Sequence, residues 1–279
     1  MGFTFLVWNV RHFKGTPPRT IQVRDHIQKH QPDVFSVLEV QKAAKEAIRR
    51  LVRDHFTEYD FGLTDSKRQL DILVGWRRGK FDQVVYTQRR EFQANNIDLR
   101  PGGLLSFREQ GETAFHNLLF LHTDSGRNEK DYKARQTMFD RVFHLKAALG
   151  QLPAQNGNAR LIVLGDLNTM GRKSVNSQPS ISGQEEINAL QQDVQNAGMT
   201  MLSKSHDRTQ SNGSNTRTSN LDHIIASNDL QFAEFFFPSN PSVTFNVEVD
   251  GWNNVPTGNA RLAWIRDMSD HCALAGEVI

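Results

Sequence analysis

The chain has 279 residues, 38% hydrophobic and 23% charged, with 33 Lys and Arg against 31 Asp and Glu. That balance excludes a disordered polyelectrolyte and supplies no global charge for wrapping nucleic acid, so any basic surface must come from local clusters. A single cysteine, Cys272, excludes an internal disulfide framework, and neither a secretory leader nor an apolar run of bilayer length is present, which predicts a cytoplasmic location without membrane association.

Residues 3–8 (FTFLVW) predict a buried strand with Asn9 at its end, where a side chain can enter a site. Thr16 before Pro17 and Pro18 predicts a helix start, a hydroxyl cap followed by proline where no donor is needed; Pro32 blocks continuation beyond about His30. Residues 33–38 (DVFSVL) predict a second strand that delivers Glu39, and apolar positions 44, 47, 48, 51 and 52 have helical spacing over 43–52. Short strands follow at 59–63, 71–76 and 81–85. Arg77, Arg78, Lys80, Arg89, Arg90 and Arg100 crowd this part. Such a run is either a solvated face or an edge that contacts phosphate. Pro101-Gly102-Gly103 reads as a turn, 115–121 (FHNLLFL) as a core strand delivering His122, and 132–149 as a helix with Met138, Val142, Leu145 and Leu149 on one stripe.

Residues 160–168 (RLIVLGDLN) organise the rest. Leu161 to Leu164 predict a strand buried on both faces, Gly165 ends it, and Asp166 and Asn168 follow two positions apart. In extended chain such positions share a side, so both oxygens lean into one pocket, suiting a hard cation or a phosphate-bound nucleophile. An Asx turn that merely closes the strand is the alternative. Residues 171–183 read as a loop, and Ser182 with Glu185 as a capping box for a helix through Val194. The almost wholly polar 203–220 predicts a long mobile loop leading to a strand at 221–225 with Asp222 near its start. A further strand is expected at 242–249, an irregular excursion with Trp252 and Trp264 at 251–268, and a last strand at 272–278 after Ser269-Asp270-His271. No repeat, linker or low-complexity tract interrupts 1–279, so a single domain is expected.

Read together, the strand ends carry Asn9, Glu39, His122, Asp166, Asn168, Asp222, Asp270 and His271. Carboxylates with no cysteine among them favour Mg²⁺ or Mn²⁺ over zinc. The segments VWNV at 7–10, LEV at 38–40, LHTDSG at 121–126, LGDLNT at 164–169, NLDHI at 220–224 and SDH at 269–271 resemble, in order and over almost the whole length, those of the endonuclease/exonuclease/phosphatase superfamily, the DNase I-like group.

The resemblance implies an α/β (α+β) fold, a four-layered sandwich of two mixed β-sheets face to face with helices outside. It implies that Glu39, with Asn9 beside it, holds the divalent cation against a phosphate oxygen, and that Asp270 adds to that metal site or orients His271. It assigns His271 as the general base, or the electrostatic partner at the phosphate, and Asp222 as the acid that sets its tautomer. Asp166 and Asn168 orient the nucleophile and bind the transition state. His122 faces the leaving oxygen, as in DNase-like members; abasic-site repair members usually have tyrosine there. Gln41 departs from the basic residue many DNases and phosphatases carry near the phosphate. The Trp-Cys-Asp-Arg pattern of inositol polyphosphate 5-phosphatases is absent before Asp222, as are the paired cysteines of secreted DNases.

The expected function is therefore metal-dependent phosphodiester hydrolysis by a monomer. DNA is nicked with little sequence preference and gripped by Arg77, Arg78 and the basic loop 203–219. One alternative is a phosphatase or phospholipase-type phosphodiesterase on lipid or sugar phosphates, with Trp252 and Trp264 at a membrane surface. The other is a catalytically inactive binding module of the same fold. His116, His144 and His223 are read as structural.

Overall fold

Long apolar strands set the architecture. The computed structural model describes residues 2–41, 46, 50, 53–67, 70–155, 157–175, 178–212, 217–237 and 240–279. Within these, the chain begins with β1 (Phe3–Phe13), α1 (Pro17–Lys29), β2 (Val34–Gln41), β3 (Tyr59–Leu63), β4 (Leu70–Arg77), β5 (Phe81–Arg89) and β6 (Gly102–Glu109). It continues through β7 (His116–His122), α2 (Glu129–Gly150), β8 (Arg160–Asp166), α3 (Gly183–Asn196), β9 (Met199–Met201), β10 (Gln210–Ser211), β11 (Thr218–Ser219) and β12 (Asp222–Ser227). It closes with β13 (Phe235–Phe237), β14 (Asn240–Phe245), β15 (Val247–Asp250), α4 (Asn259–Asp267) and β16 (Ala273–Val278).

Two six-stranded mixed sheets result, in the orders β15-β16-β1-β2-β4-β3 and β5-β6-β7-β8-β12-β9. Each has one parallel pair near its centre, β1 with β2 and β7 with β8, and is otherwise antiparallel. Alternation along β1 shows why the apolar runs are continuous. Phe3, Phe5 and Val7 meet Phe107, Leu118, Phe120, Ile162 and Leu164 between the sheets. Leu6, Trp8 and Val10 face the other way, onto Val23 and Ile27 of α1. In the second sheet, Leu119, Leu161 and Val163 turn outward onto Met138 and Val142 of α2 and Leu190 and Val194 of α3. The layers are helix, sheet, sheet, helix, and the central strands β1, β2, β7 and β8 are largely buried on both faces, as continuous apolar strands require.

Several local expectations change. The Thr16 hydroxyl makes no capping bond, although α1 starts at Pro17 as expected. The helix expected over 43–52 falls almost wholly outside the described residues. Gly102 and Gly103 open β6 instead of forming a turn; a Cβ on Gly102 would meet Leu121, Phe92 and Leu119 at 3.1–3.2 Å, so glycine is there for close packing. Residues 203–220 are not a featureless loop. β10 and β11 pair as a hairpin, and Thr209 and Ser211 are buried against the strand ends. The stretch 242–249 splits into β14 and β15, which belong to different sheets. The excursion at 251–268 contains α4; Trp252 is buried in the inter-sheet core and the partly buried Trp264 packs against it, so core packing is the use the structure gives them. No helix among the described residues is long and apolar enough to cross a membrane.

Candidate active site

The second sheet lines up three polar residues at its rim. Asp166, last in β8, is in register with His122, last in β7, and with Asp222, first in β12. Residues paired across neighbouring strands project from the same face. His122 Nε2 thus lies 3.4 Å from Asp166 Oδ2. Gly165 makes the approach possible. Its φ is +144°, and a Cβ there would stand 2.0 Å from the Leu121 carbonyl oxygen.

The first sheet supplies the opposite wall. Asn9 Nδ2 donates to Asp166 Oδ2 at 2.9 Å and to Glu39 Oε1 at 3.2 Å. A bulge turns this wall inward. β1 does not end at Asn9 as expected but continues to Phe13 with a register shift, and Arg11, His12 and Glu39 all adopt left-handed φ. The freed amides are used locally: Arg11 N donates to Asn9 Oδ1 at 3.0 Å and His12 N to Glu39 Oε2 at 2.8 Å. A bulge beside a site re-aims side chains in this way.

Asp166 and Asn168 come together, but not by strand alternation. The strand stops at Asp166, Asn168 is left-handed at φ 47°, and its N–H donates to Asp166 Oδ1 at 3.1 Å. This is the Asx turn, and it serves the pocket: Asn168 Nδ2 reaches the Thr123 carbonyl at 3.2 Å, so both residues stay buried beside His122.

His271 arrives from the segment before β16. Its Nδ1 lies 2.9 Å from Asp222 Oδ2 and its Nε2 is 3.8 Å from Asp166 Oδ2. The backbone around it is fixed as well. Ser269 Oγ accepts from His271 N at 3.0 Å and donates to the Asn9 carbonyl at 2.6 Å, while Trp8 Nε1 donates to the His271 carbonyl at 3.0 Å.

Burial dominates the electrostatics. It raises the Asp166 carboxyl to about 7, against the opposing pull of His271. On His271 burial acts downward but is outweighed by the Asp222 and Asp166 carboxylates, which lift the imidazole to about 10. Burial, with Arg100 adding to it, holds His122 well below the ordinary histidine value. The ring of His122 is therefore neutral between two carboxylates, Glu39 and Asp166.

The donor set suits a hard divalent cation. Glu39 presents two carboxylate oxygens, and Asp270 Oδ1 is buried with no hydrogen-bond partner among the described residues. Oxygen donors without sulfur select ions of the Mg²⁺ type. Asn9 faces Glu39 with its amide nitrogen, its oxygen being engaged by Arg11 N. Asp166, Asp222 and His271 also bring one ligand atom each within 4.8 Å of one another. In that group His271 Nδ1 is already bonded to Asp222, whereas Asp270 Oδ1 stands without a partner among the described residues.

Arg77 and Arg78 are not brought to this site. β2 and β4 are antiparallel, with Val34 opposite Trp76 and Gln41 opposite Leu70, so the two arginines lie at the far end of the sheet from Glu39. There they pair with Asp33, Glu58 and Asp60. The member of that basic run that does reach the site is Arg100. Its Nη1 donates to the Thr123 carbonyl at 3.3 Å, and burial, which lowers its pKa, is opposed by Glu39, Asp166 and Asp124.

Three further residues escape sequence reasoning. Thr209 Oγ1 accepts from Leu221 N at 3.1 Å and Asp222 N at 3.0 Å, and Lys204 Nζ donates to the Asp222 carbonyl at 2.6 Å. Ser269, part of the SDH segment but given no role there, is the third. All act through the fold, and a lone Thr, Lys or Ser in polar sequence carries no signal of that. His223 and His116 are structural: one meets Thr169 Oγ1 at 2.9 Å, the other Glu109 Oε1 at 3.2 Å.

Two clefts flank the constellation. One, of about 760 Å³, is lined by Arg127, Thr169, Arg208, Arg217, Asn220 and Leu221, next to Asn168 and Asp222. The other, of about 610 Å³, is lined by Leu70, Arg100, Asp124, Lys130 and Lys133 on the His122 side.

The fold recurs in solved structures. Truncated TDP2 of Caenorhabditis elegans superposes with a TM-score of 0.65 at 16% identity, covering 100% of this chain and 97% of that one. TDP2 of D. rerio, complexed with single strand DNA product, gives 0.64 at 13% identity, covering 100% of this chain and 99% of that one. ANGEL2, a 2',3'-cyclic phosphatase in complex with adenosine-2',3'-vanadate, gives 0.66 at 12% identity, covering 99% of this chain and 95% of that one. No curated protein sequence matches. Residues 6–271 match the Endonuclease/Exonuclease/phosphatase family, a span that runs from β1 through His271 and takes in every residue of the constellation, and the chain belongs to that family.

Proposed function

We propose that the protein is a divalent-metal-dependent phosphodiesterase that cuts within DNA. The observation that carries this reading is the buried Asp222–His271 pair, whose free Nε2 faces Asp166 at 3.8 Å across from Glu39. With Nδ1–H donated to Asp222 and the ring lifted to about 10, His271 is an imidazolium at neutral pH, and its Nε2–H is the electrostatic partner of a phosphate oxygen. Asp166 Oδ2 holds the attacking water, and Asn9 Nδ2 fixes the carboxylate. Asn168, locked by the Asx turn, places its amide beside the same phosphate. His122, neutral on the far side of Asp166, faces the leaving oxygen. Glu39 and Asp270, with Asn9 beside them, would hold Mg²⁺ or Mn²⁺; when bound, the ion supplies positive charge at a phosphate oxygen.

Nucleic acid as substrate is supported by the flanking clefts. Arg127, Arg208 and Arg217 lie on one side and Arg100, Lys130 and Lys133 on the other, a spacing that offers charge to phosphates both before and after the scissile one. Two structurally similar proteins hold a DNA strand and an adenosine derivative, which agrees with this substrate class. The test is incubation with supercoiled plasmid and Mg²⁺ or Mn²⁺, beside EDTA and an Asp166→Ala control. Nicking that requires both metal and Asp166 is the expected result. An intact plasmid under every metal would sink DNA as the substrate.

A further inference from the structure

A second cluster of ligand-type side chains lies outside this site, on the outer face of the first sheet. His26 and His30 are four residues apart on α1 and share one face, one turn above the other. Asp250, the last residue of β15, meets them from below, with Oδ2 at 2.9 Å from His30 Nε2 and 3.9 Å from His26 Nε2. One ligand atom from each of the three lies within 4.8 Å of the others. We infer that His26, His30 and Asp250 form a transition-metal site of the zinc class, separate from the hard-cation site at Glu39.

Three observations favour it. The side chains are sequestered, at 11%, 9% and 5% exposure. His26 Nε2 is buried with no hydrogen-bond partner among the described residues and faces Asp250 Oδ2 at 3.9 Å. The carboxylate is also oriented: Asn254 Nδ2 donates to Asp250 Oδ1 at 2.8 Å, leaving Oδ2 for the histidines. Glu248 Oε2 lies 3.8 Å from His30 Nδ1, on the ring edge away from Asp250. A tetrahedral ion with metal–ligand distances near 2.0–2.2 Å places its donors about 3.3–3.6 Å apart, between the two donor spacings seen here. Two imidazoles and one carboxylate suit Zn²⁺ better than Mg²⁺.

One group competes. Lys29 Nζ stands 2.6 Å from Asp250 Oδ2, but 60% of its side chain is exposed. An arriving ion displaces an ammonium that can swing into water. The site also touches the catalytic centre at one remove. The His26 ring lies 4.6 Å from the Trp8 ring, whose Nε1 donates to the His271 carbonyl. Trp264 is 6.0 Å from His26 on another side, so two indoles report on the ion.

The experiment is titration of the full chain with Co²⁺ in excess Mg²⁺, read by tetrahedral ligand-field absorption and tryptophan quenching, then displaced by Zn²⁺. One equivalent is expected, lost in His26→Gln and Asp250→Asn and kept in Asp166→Asn. Lys29→Gln should bind several-fold more tightly. Bands that survive His26→Gln, or that vanish with Asp166→Asn, would overturn the assignment. Circular dichroism checks each fold; should His26→Gln not fold, unchanged affinity in Lys29→Gln would overturn it alone.

Discussion

Arg135 and Glu186 face each other through two parallel N–H···O bonds of 2.8 and 2.9 Å, with both side chains at 0% exposure. The pair does more than join α2 to α3. Arg135 also donates to the carbonyls of Gly126 and Gly171, and Gly171 N donates to Glu186 Oε2. The loops that follow His122 and Asn168 are thus tied to one buried bond. Breaking it from one side leaves an uncompensated charge, so Glu186→Gln or Arg135→Met should each cost about 3–5 kcal/mol. Urea unfolding measures this; a loss below about 1 kcal/mol, the range of an exposed pair, would contradict the geometry.

Asp222→Asn keeps the shape of the dyad but replaces the acceptor facing His271 Nδ1. The turnover number should fall about 10²- to 10³-fold with little change in KM, the signature of an interaction made only in the transition state. Plasmid nicking at saturating substrate gives the turnover number, and an equal fall in substrate affinity would point to a structural role instead.

Gly165→Ala should unfold or inactivate the protein. The new methyl would meet the Leu121 carbonyl at 2.0 Å inside a parallel β7–β8 pairing that cannot move apart without losing the register of His122 and Asp166. A variant with native melting temperature and full activity would refute the close approach.

Charge neutralisation separates the two basic regions. Arg127→Ala, Arg208→Ala and Arg217→Ala should each weaken DNA binding and lower the salt slope by roughly one phosphate contact. Arg77→Glu with Arg78→Glu should leave the slope unchanged, because those guanidinium groups are paired with Asp33, Glu58 and Asp60 at the other end of the sheet. Affinity measured across a salt series decides, and a flattened slope in the Arg77 and Arg78 pair would reverse this placement.

The sheets and the residues at their ends were legible in the sequence because each strand is a short apolar run that stops on a polar residue. The sandwich itself came from the resemblance of six ordered segments, not from periodicity. Sequence failed where tertiary context overrode local pattern. Gly102 and Gly103 read as a turn because glycine clusters there usually mean one, whereas their lack of a side chain accommodates Leu121 and Tyr86. The bulge after Asn9 left no mark, since Arg11 and His12 are ordinary residues in left-handed φ. Arg77 and Arg78 were misplaced because the direction of β4 relative to β2 cannot be read from a charge run. Residues 203–220 looked mobile for lack of apolar residues, yet Thr209 and Lys204 brace Asp222 with hydroxyl and ammonium groups.

Asn9 and His271 come to one end of the first sheet because β1, early in the chain, pairs with β16, late in it. During synthesis, then, Asn9, Glu39, His122, Asp166 and Asp222 emerge before the histidine that completes them. A partly made chain on the ribosome carries most of the constellation but lacks His271 and the strand that places it. The site is therefore assembled only when the last strand enters the first sheet, a delay that the strand order alone imposes.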